Sequence, residues 1–154
     1  MTLVGLISDT HGLLRREAVH ALAGVDHILH AGDIGLPKIL DELRAIAPVT
    51  VVRGNVDTEA WWSHLPDDTV VSIEGFKIYM IHALQQMTIF PKEKNISVVV
   101  CGHSHSPLIE TMDDVIYVNP GSAGPRRFTL PVSVGFLRLT RGAPIEAWLK
   151  PLDT

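Results

Sequence analysis

The chain opens as short apolar runs, each closed by a polar turn. Leu3 to Ser8 is the first run, too short for a helix, and predicts a strand. It ends in Asp9-Thr10-His11-Gly12. From Arg15 to Leu22 the apolar spacing becomes helical, with Ala18, Val19 and Leu22 on one face and Gly24 as the stop. His27 to Ala31 predicts a second strand, ending in Gly32-Asp33. Pro37 to Ile46 predicts a second helix, with Pro37 in the first turn and Ile39, Leu40, Leu43 and Ile46 as its apolar stripe. Pro48 closes it. Val49 to Arg53 is a third strand, ending in Gly54-Asn55-Val56-Asp57. Strand and helix alternate, so right-handed crossovers should build a parallel sheet. The carboxyl ends of such strands share one edge, where open α/β sheets bind ligands.

After Leu65 the period shortens. Thr69 to Ile73 and Phe76 to Ile81 flank Glu74-Gly75 and predict a hairpin whose second strand runs into His82. Gln86 to Glu93 has a helical pattern weakened by Pro91. Ser97 to Cys101 predicts another strand, ending in Cys101-Gly102-His103-Ser104-His105. Leu108 to Met112 and Val115 to Val118 predict a second hairpin around Asp113-Asp114. Val132 to Thr140 and Ala143 to Leu149 predict a third strand pair. Helices thin out while strands continue, which predicts a second, more antiparallel sheet packed on the first. Ala123 to Pro131, with its prolines and glycine, is expected to be a mobile loop. At 154 residues the chain predicts one domain over residues 1–154.

Composition narrows the function. At 46% hydrophobic, the chain suits strands covered on both faces. No apolar run approaches the roughly 20 residues of a membrane span. The first residues read as a strand rather than a secretion signal. Cys101 is the only cysteine, so no disulfide forms within the chain, and a cytoplasmic location is expected. The net charge is -4, and no basic run exceeds Arg15-Arg16 or Arg126-Arg127. Non-specific nucleic-acid binding is therefore not expected, while a small nucleotide is compatible.

The polar residues at strand ends form a set: Asp9, His11, Asp33, Asn55, His82, His103 and His105. One metal takes about four to six donors. Seven donors, with a carboxylate able to bridge, suit two ions about 3.5–4 Å apart. Asp9-x-His11 and His103-x-His105 would project alternate side chains the same way if extended. Imidazole mixed with carboxylate favours manganese, iron, nickel or zinc over calcium or magnesium.

In order, Asp9-x-His11, Gly32-Asp33, Gly54-Asn55, His82 and Gly102-His103-Ser104-His105 resemble the five motifs of the calcineurin-like metallophosphoesterases. Ser8-Asp9-Thr10-His11-Gly12 and Asn119-Pro120-Gly121-Ser122 resemble their short YfcE-like phosphodiesterase branch. The resemblance implies a four-layer α/β/β/α sandwich of two mixed sheets flanked by helices. It implies two divalent ions, manganese first, with nickel, iron or zinc as alternatives. One ion would take Asp9, His11, Asp33 and His105. The other would take Asp33, Asn55, His82 and His103. A hydroxide bridging them would attack a phosphodiester in line, with Asp33, Asn55 and His82 positioning metal and phosphate. The implied partner is a small phosphate ester, and a homo-oligomer is compatible.

Two positions depart from that pattern. Many relatives carry a His after the motif Asn, assigned to leaving-group protonation; here Val56 stands there. Ala83 follows His82 where Gly is usual. No separate general acid is therefore identified. Each ligand also has a bland reading: Asp9 and Asp33 as helix caps, Asn55 as a turn residue, His82 as a core His. His20, His27, His30 and His64 read likewise as satisfied core histidines, with His30 near enough to Gly32-Asp33 to support it. Asp57 could orient a neighbour, and Asn119 and Arg127 could touch a phosphate. Trp61-Trp62 could line a substrate or dimer surface, and Cys101 reads as buried filler. A different class of function is a protein-binding scaffold of the same fold, as in the retromer subunit resembling this branch. Phosphomonoesterase or cyclic-nucleotide hydrolase chemistry is a further alternative.

Overall fold

Apolar alternation along ten strands builds two five-stranded sheets, described here over Met1–Thr154 in a computed structural model. β1 (Thr2–Ile7), β2 (His27–His30) and β3 (Val49–Val51) are parallel, joined by α1 (Arg16–Leu22) and α2 (Pro37–Arg44). The second sheet holds β4 (Asp68–Ile73), β5 (Phe76–Ile81), β6 (Ile96–Val100), β7 (Leu108–Met112) and β8 (Val115–Asn119). Its order is β4-β5-β6-β8-β7, with β5, β6 and β8 parallel. The final pair, β9 (Ser133–Leu139) and β10 (Glu146–Pro151), joins the first sheet in the order β10-β9-β1-β2-β3.

The continuing strands predict a second sheet, but this last pair joins the first. The reason lies in β9. Val134 and Phe136 enter the core under the helices, while Leu137 and Leu139 enter the core between the sheets. A strand apolar on both faces gains most inside a sheet covered on both sides. It therefore sits beside β1, antiparallel to it.

Three apolar layers result. Between the sheets lie twelve buried residues, among them Val4, Leu6, Leu29, Ile78, Met80, Val98 and Val100. Under α1 and α2 lie eighteen, including Ala18, Leu22, Ile39, Leu40, Leu43 and Trp62. The outer face of the second sheet buries only five: Tyr79, Ile81, Ile96, Val99 and Val115. There the cover is two single turns of 3₁₀ helix, Leu84–Gln86 and Pro91–Lys94. Pro91 starts the second turn rather than interrupting a helix, because its missing N–H costs nothing at a first-turn position. No helix is long and apolar enough to cross a membrane.

Register brings the polar turns together. Ile7 pairs with His30 and His30 with Val51, so β1, β2 and β3 end level. Met80 pairs with Val100 and Val100 with Val118, so β5, β6 and β8 do the same. Within four residues beyond those ends come Asp9, His11, Asp33 and Asn55 from one sheet, and His82, His103 and Asn119 from the other, with His105 two residues beyond His103.

Candidate metal centre

The turns carrying these residues are not extended. Asp9, His11, Asp33, His103 and His105 all have positive φ, between 45° and 72°. They are half of the ten non-glycine residues in that region. Left-handed backbone is disfavoured for side chains with a Cβ, so its concentration at one sheet edge marks a site held by its surroundings. The spacing Asp9-x-His11 thus works through two left-handed residues, not through an extended chain. Close packing of glycines makes room. A Cβ on Gly54 would fall on Asp33, and one on Gly102 on Ser8 and Asp9.

Five of the seven predicted residues converge. Asp9 Oδ1 lies 3.3 Å from His105 Nε2, 3.7 Å from His11 Nε2 and 3.8 Å from His82 Nε2. Asp33 Oδ2 lies 3.2 Å from His82 Nε2 and 3.6 Å from His11 Nε2. The Nε2 atoms of His11 and His105 are 3.3 Å apart. Two donor groups within metal-binding reach emerge: Asp9, His11 and His105, and Asp9, Asp33 and His82. His103 stands outside both, its ring edge-on to His82 at 5.3 Å between centroids. The two histidines of the loop after β6 therefore face opposite sides of the cluster. Asn55 is exposed and lines an adjoining polar hollow with Arg53, Gly54 and Gln86.

The donor set fits divalent cations on an observation independent of family. Asp9 Oδ1, His82 Nε2 and His105 Nδ1 are buried with no hydrogen-bond partner. His82 is the clearest case. Its Nδ1–H donates to Ala31 O at 2.7 Å, which turns Nε2 toward Asp33 and Asp9. Nε2 approaches Asp33 closely yet lacks hydrogen-bond geometry. A lone pair facing two carboxylates is repulsive unless a cation or proton lies between. The proton affinities agree. Burial alone would lower the His82 pKa, but Asp33 and Asp9 overcome it and raise it. Burial alone would raise Asp33, but His82, the Val56 N–H and the imidazole charges hold it at about 2. For Asp9, too, burial acts upward but His11, His82, Ser8 and His105 bring the pKa down. For His105, burial lowers the pKa despite Asp9.

Four further residues hold the turns in place. Asp57 is 2% exposed, and its carboxylate accepts the N–H groups of Ile34 (3.0 Å), Gly35 (3.3 Å) and Gly54 (2.8 Å). It ties the Asp33 turn to the Asn55 turn. Asn119 donates through Nδ2 to Gly102 O and Ser104 Oγ, both at 3.0 Å, and accepts from Gly121 N. Its amide is engaged in bracing the His103–His105 loop. Thr10 Oγ1 donates to Ile34 O at 2.8 Å, so it accepts from His30 Nε2 at 3.1 Å. His30 Nδ1 then accepts from Gly32 N at 3.1 Å. Burial drives the His30 pKa down to about 4, which keeps it neutral. The sequence signals for these braces were only a second acid in Gly54-Asn55-Val56-Asp57, the turn after β8, and a His beside Gly32-Asp33.

Trp61 and Trp62 part company, with Trp62 buried in the helix-side core and Trp61 half exposed. Residues 123–131, expected to be mobile, are tied down. Ala123 N donates to Ser8 O, Arg15 Nε to Gly124 O and Arg126 to Leu130 O and Thr154 Oγ1. This places Arg127 and Phe128 beside His11 and His105.

Comparison with known proteins gives the family. The family model of the calcineurin-like phosphoesterase superfamily domain matches residues 2–142. A probable metallophosphoesterase of Methanothermobacter thermautotrophicus is 39% identical over 89% of this chain and 86% of its own. The solved structure of an archaeal phosphodiesterase is 25% identical, covers 96% of this chain and 99% of its own, and superposes with a TM-score of 0.78. Vps29 from Entamoeba histolytica, solved with zinc, shares the fold at 20% identity and a TM-score of 0.78, over 97% of this chain and 98% of its own. The α/β sandwich, the strand-end carboxylates and imidazoles, and these matches place the chain in the calcineurin-like phosphoesterase superfamily.

Proposed function

We propose that the protein is a phosphodiesterase that uses two divalent cations, manganese being the first candidate. Asp9, His11, Asp33 and His105 would hold one ion, and Asp33, Asn55, His82 and His103 the other. The observation carrying this reading is that Asp9 Oδ1 and His82 Nε2, both buried and unpartnered, lie 3.8 Å apart where the donor groups Asp9, His11, His105 and Asp9, Asp33, His82 meet. When bound, such ions bring the pKa of a shared water toward neutrality and offset charge on phosphate oxygens.

The chain's own residues prepare that chemistry. Asp33 lies between His11 and His82, where one carboxylate can serve both sides. Ser8 Oγ and His103 N both donate to Asp9 Oδ2, which leaves Oδ1 directed at the imidazoles. Val56 N donates to Asp33 Oδ1 and leaves Oδ2 facing the cluster. The Val56 side chain, 45% exposed, has no proton to give a leaving oxygen. A missing general acid typically costs about 100- to 10,000-fold for groups that need protonation. Activated aryl diesters should therefore turn over far faster than alkyl monoesters.

The test is metal analysis with hydrolysis of bis(p-nitrophenyl) phosphate under manganese. Expected are two ions per chain and loss of about a thousandfold or more in rate for Asp33→Ala, since such charge stabilisation is worth several kcal/mol. Tight binding of a partner protein with no turnover under any of the four metals would instead favour the scaffold reading.

A further inference from the structure

The mouth of the site holds two adjacent side chains that folding does not explain. Phe128 is 87% exposed, the most exposed large apolar residue in the chain, and its φ is +54°. An aromatic residue in left-handed backbone is strained, and an exposed ring recovers none of that cost by burial. The Arg127 side chain makes no ion pair, unlike Arg53 and Arg138, and no hydrogen bond, unlike Arg126. Yet the loop is fixed rather than frayed. Ser122 Oγ donates to Asp9 O at 3.1 Å, and a Cβ on Gly124 would strike Thr10 O. Its anchor is thus the same turn that carries Asp9 and His11. Arg127, Phe128, His11 and His105 line one open hollow.

Resting on the phosphoesterase reading above, we propose that Arg127 and Phe128 form a clamp for phosphate esters that carry an aromatic group, nucleoside phosphates being the natural class. A phosphate beside His11 and His105 presents oxygens on the Arg127 side. The free guanidinium matches those oxygens with a planar fork of donors. The Phe128 ring, one residue on, offers a flat apolar face for a base or aryl ring. Stacking of this kind is sequence-tolerant and is worth about 5- to 150-fold in affinity per base. The clamp selects by ring and phosphate together, so inorganic phosphate satisfies only its Arg127 half.

Equilibrium dialysis of the manganese-loaded full chain, with adenosine 5′-monophosphate and inorganic phosphate as probes, tests this without reference to turnover. Wild type should bind the nucleotide about tenfold or more tighter than phosphate. Phe128→Ala and Phe128→Leu should each weaken the nucleotide about tenfold and leave phosphate within twofold. Arg127→Ala should weaken both probes about tenfold, and Arg127→Lys should restore part of the loss. Equal affinities in wild type, or no effect of Phe128→Ala on the nucleotide, overturn the aromatic half. Unchanged phosphate binding in Arg127→Ala overturns the guanidinium half. Binding as expected without hydrolysis of bis(p-nitrophenyl) phosphate supports the clamp and sinks the hydrolase reading instead.

Discussion

The two sheets contribute unlike halves to one site. The first supplies both carboxylates, Asp9 and Asp33, and the second supplies His82, His103 and His105. The carboxylate half is fixed chiefly by backbone N–H groups. Asp9 Oδ2 takes two donors, Asp33 Oδ1 takes the Val56 N–H, and Asp57 collects three amides from the turns around it. The imidazole half has fewer ties. His82 is set by Ala31 O, and the His103–His105 loop by Asn119 and by the His103 N–H on Asp9 Oδ2. Their support differs as well: the first sheet rests on two helices, the second on two short 3₁₀ turns. Carboxylates that repel one another need enforced positions before a cation arrives, whereas imidazoles, which carry no negative charge, do not. The comparison predicts a preorganised acidic half and a more compliant imidazole half.

Removing the acidic brace should have the largest effect. Asp57→Ala strands three N–H groups, Ile34, Gly35 and Gly54. At about 1–3 kcal/mol for a buried group left unpaired, a loss near 3 kcal/mol is expected once water reaches the outermost. Metal affinity should fall about 10- to 100-fold, as for other groups that orient ligands. Urea denaturation and manganese titration measure the two separately. If stability falls and metal affinity does not, Asp57 holds the fold but not the site.

Acid should act on the same half. His30 has a folded pKa of about 4 against an ordinary 6.5. The unfolded chain therefore takes up a proton at a pH where the folded chain does not. Stability from this residue is complete above pH 6.5, falls as pH drops toward 4, and is then constant. The total is about 3 kcal/mol. In metal-free protein, His30→Gln should flatten the change in urea midpoint over that interval. An unchanged slope would mean that other groups dominate it.

Much of the acidic half was legible from residue order. Asp9, Asp33 and Asn55 each follow an apolar run, and parallel strands must put such ends on one edge. The braces were less legible because they cross between turns. Nothing local says that Asp57 will reach the Ile34 amide, 23 residues away. Nor does the Asn119 turn reveal that its amide serves Gly102, 17 residues earlier. The sheet assignment of β9 failed for a related reason. Two apolar faces mark an interior strand but do not say which sheet holds it. Left-handed φ at Asp9 and His105 is likewise imposed by neighbours, against the preference of the residues themselves.

On the imidazole side, Asn119→Ala is the matching test. It removes the donors to Gly102 and Ser104 and the acceptor of Gly121 N. Expected losses are about 1–2 kcal/mol in stability and about tenfold in metal affinity, at the low end for a ligand-orienting group. Loss of affinity larger than in Asp57→Ala would reverse the comparison.

The smallest effect is the most direct probe of compliance. Cys101 ends β6, just before Gly102 and His103, and is 5% exposed. Burial, with Asp9 adding its charge, pushes the thiol up to about 12. Only thiolate attacks a disulfide reagent, so labelling at pH 8 must wait for opening. A thiol exposed in the unfolded chain should react at least about a hundredfold faster. The denaturant dependence of native labelling then tells which opening is used. Release of the His103–His105 loop alone would expose little surface and give a shallow slope; global unfolding would give the full one. A shallow slope that manganese abolishes is the outcome expected of a compliant imidazole half, because one cation on His105 and Asp9 and another on His103 and Asp33 would bind the loop to the preorganised side. A full slope both with and without manganese would show that the two halves open only together.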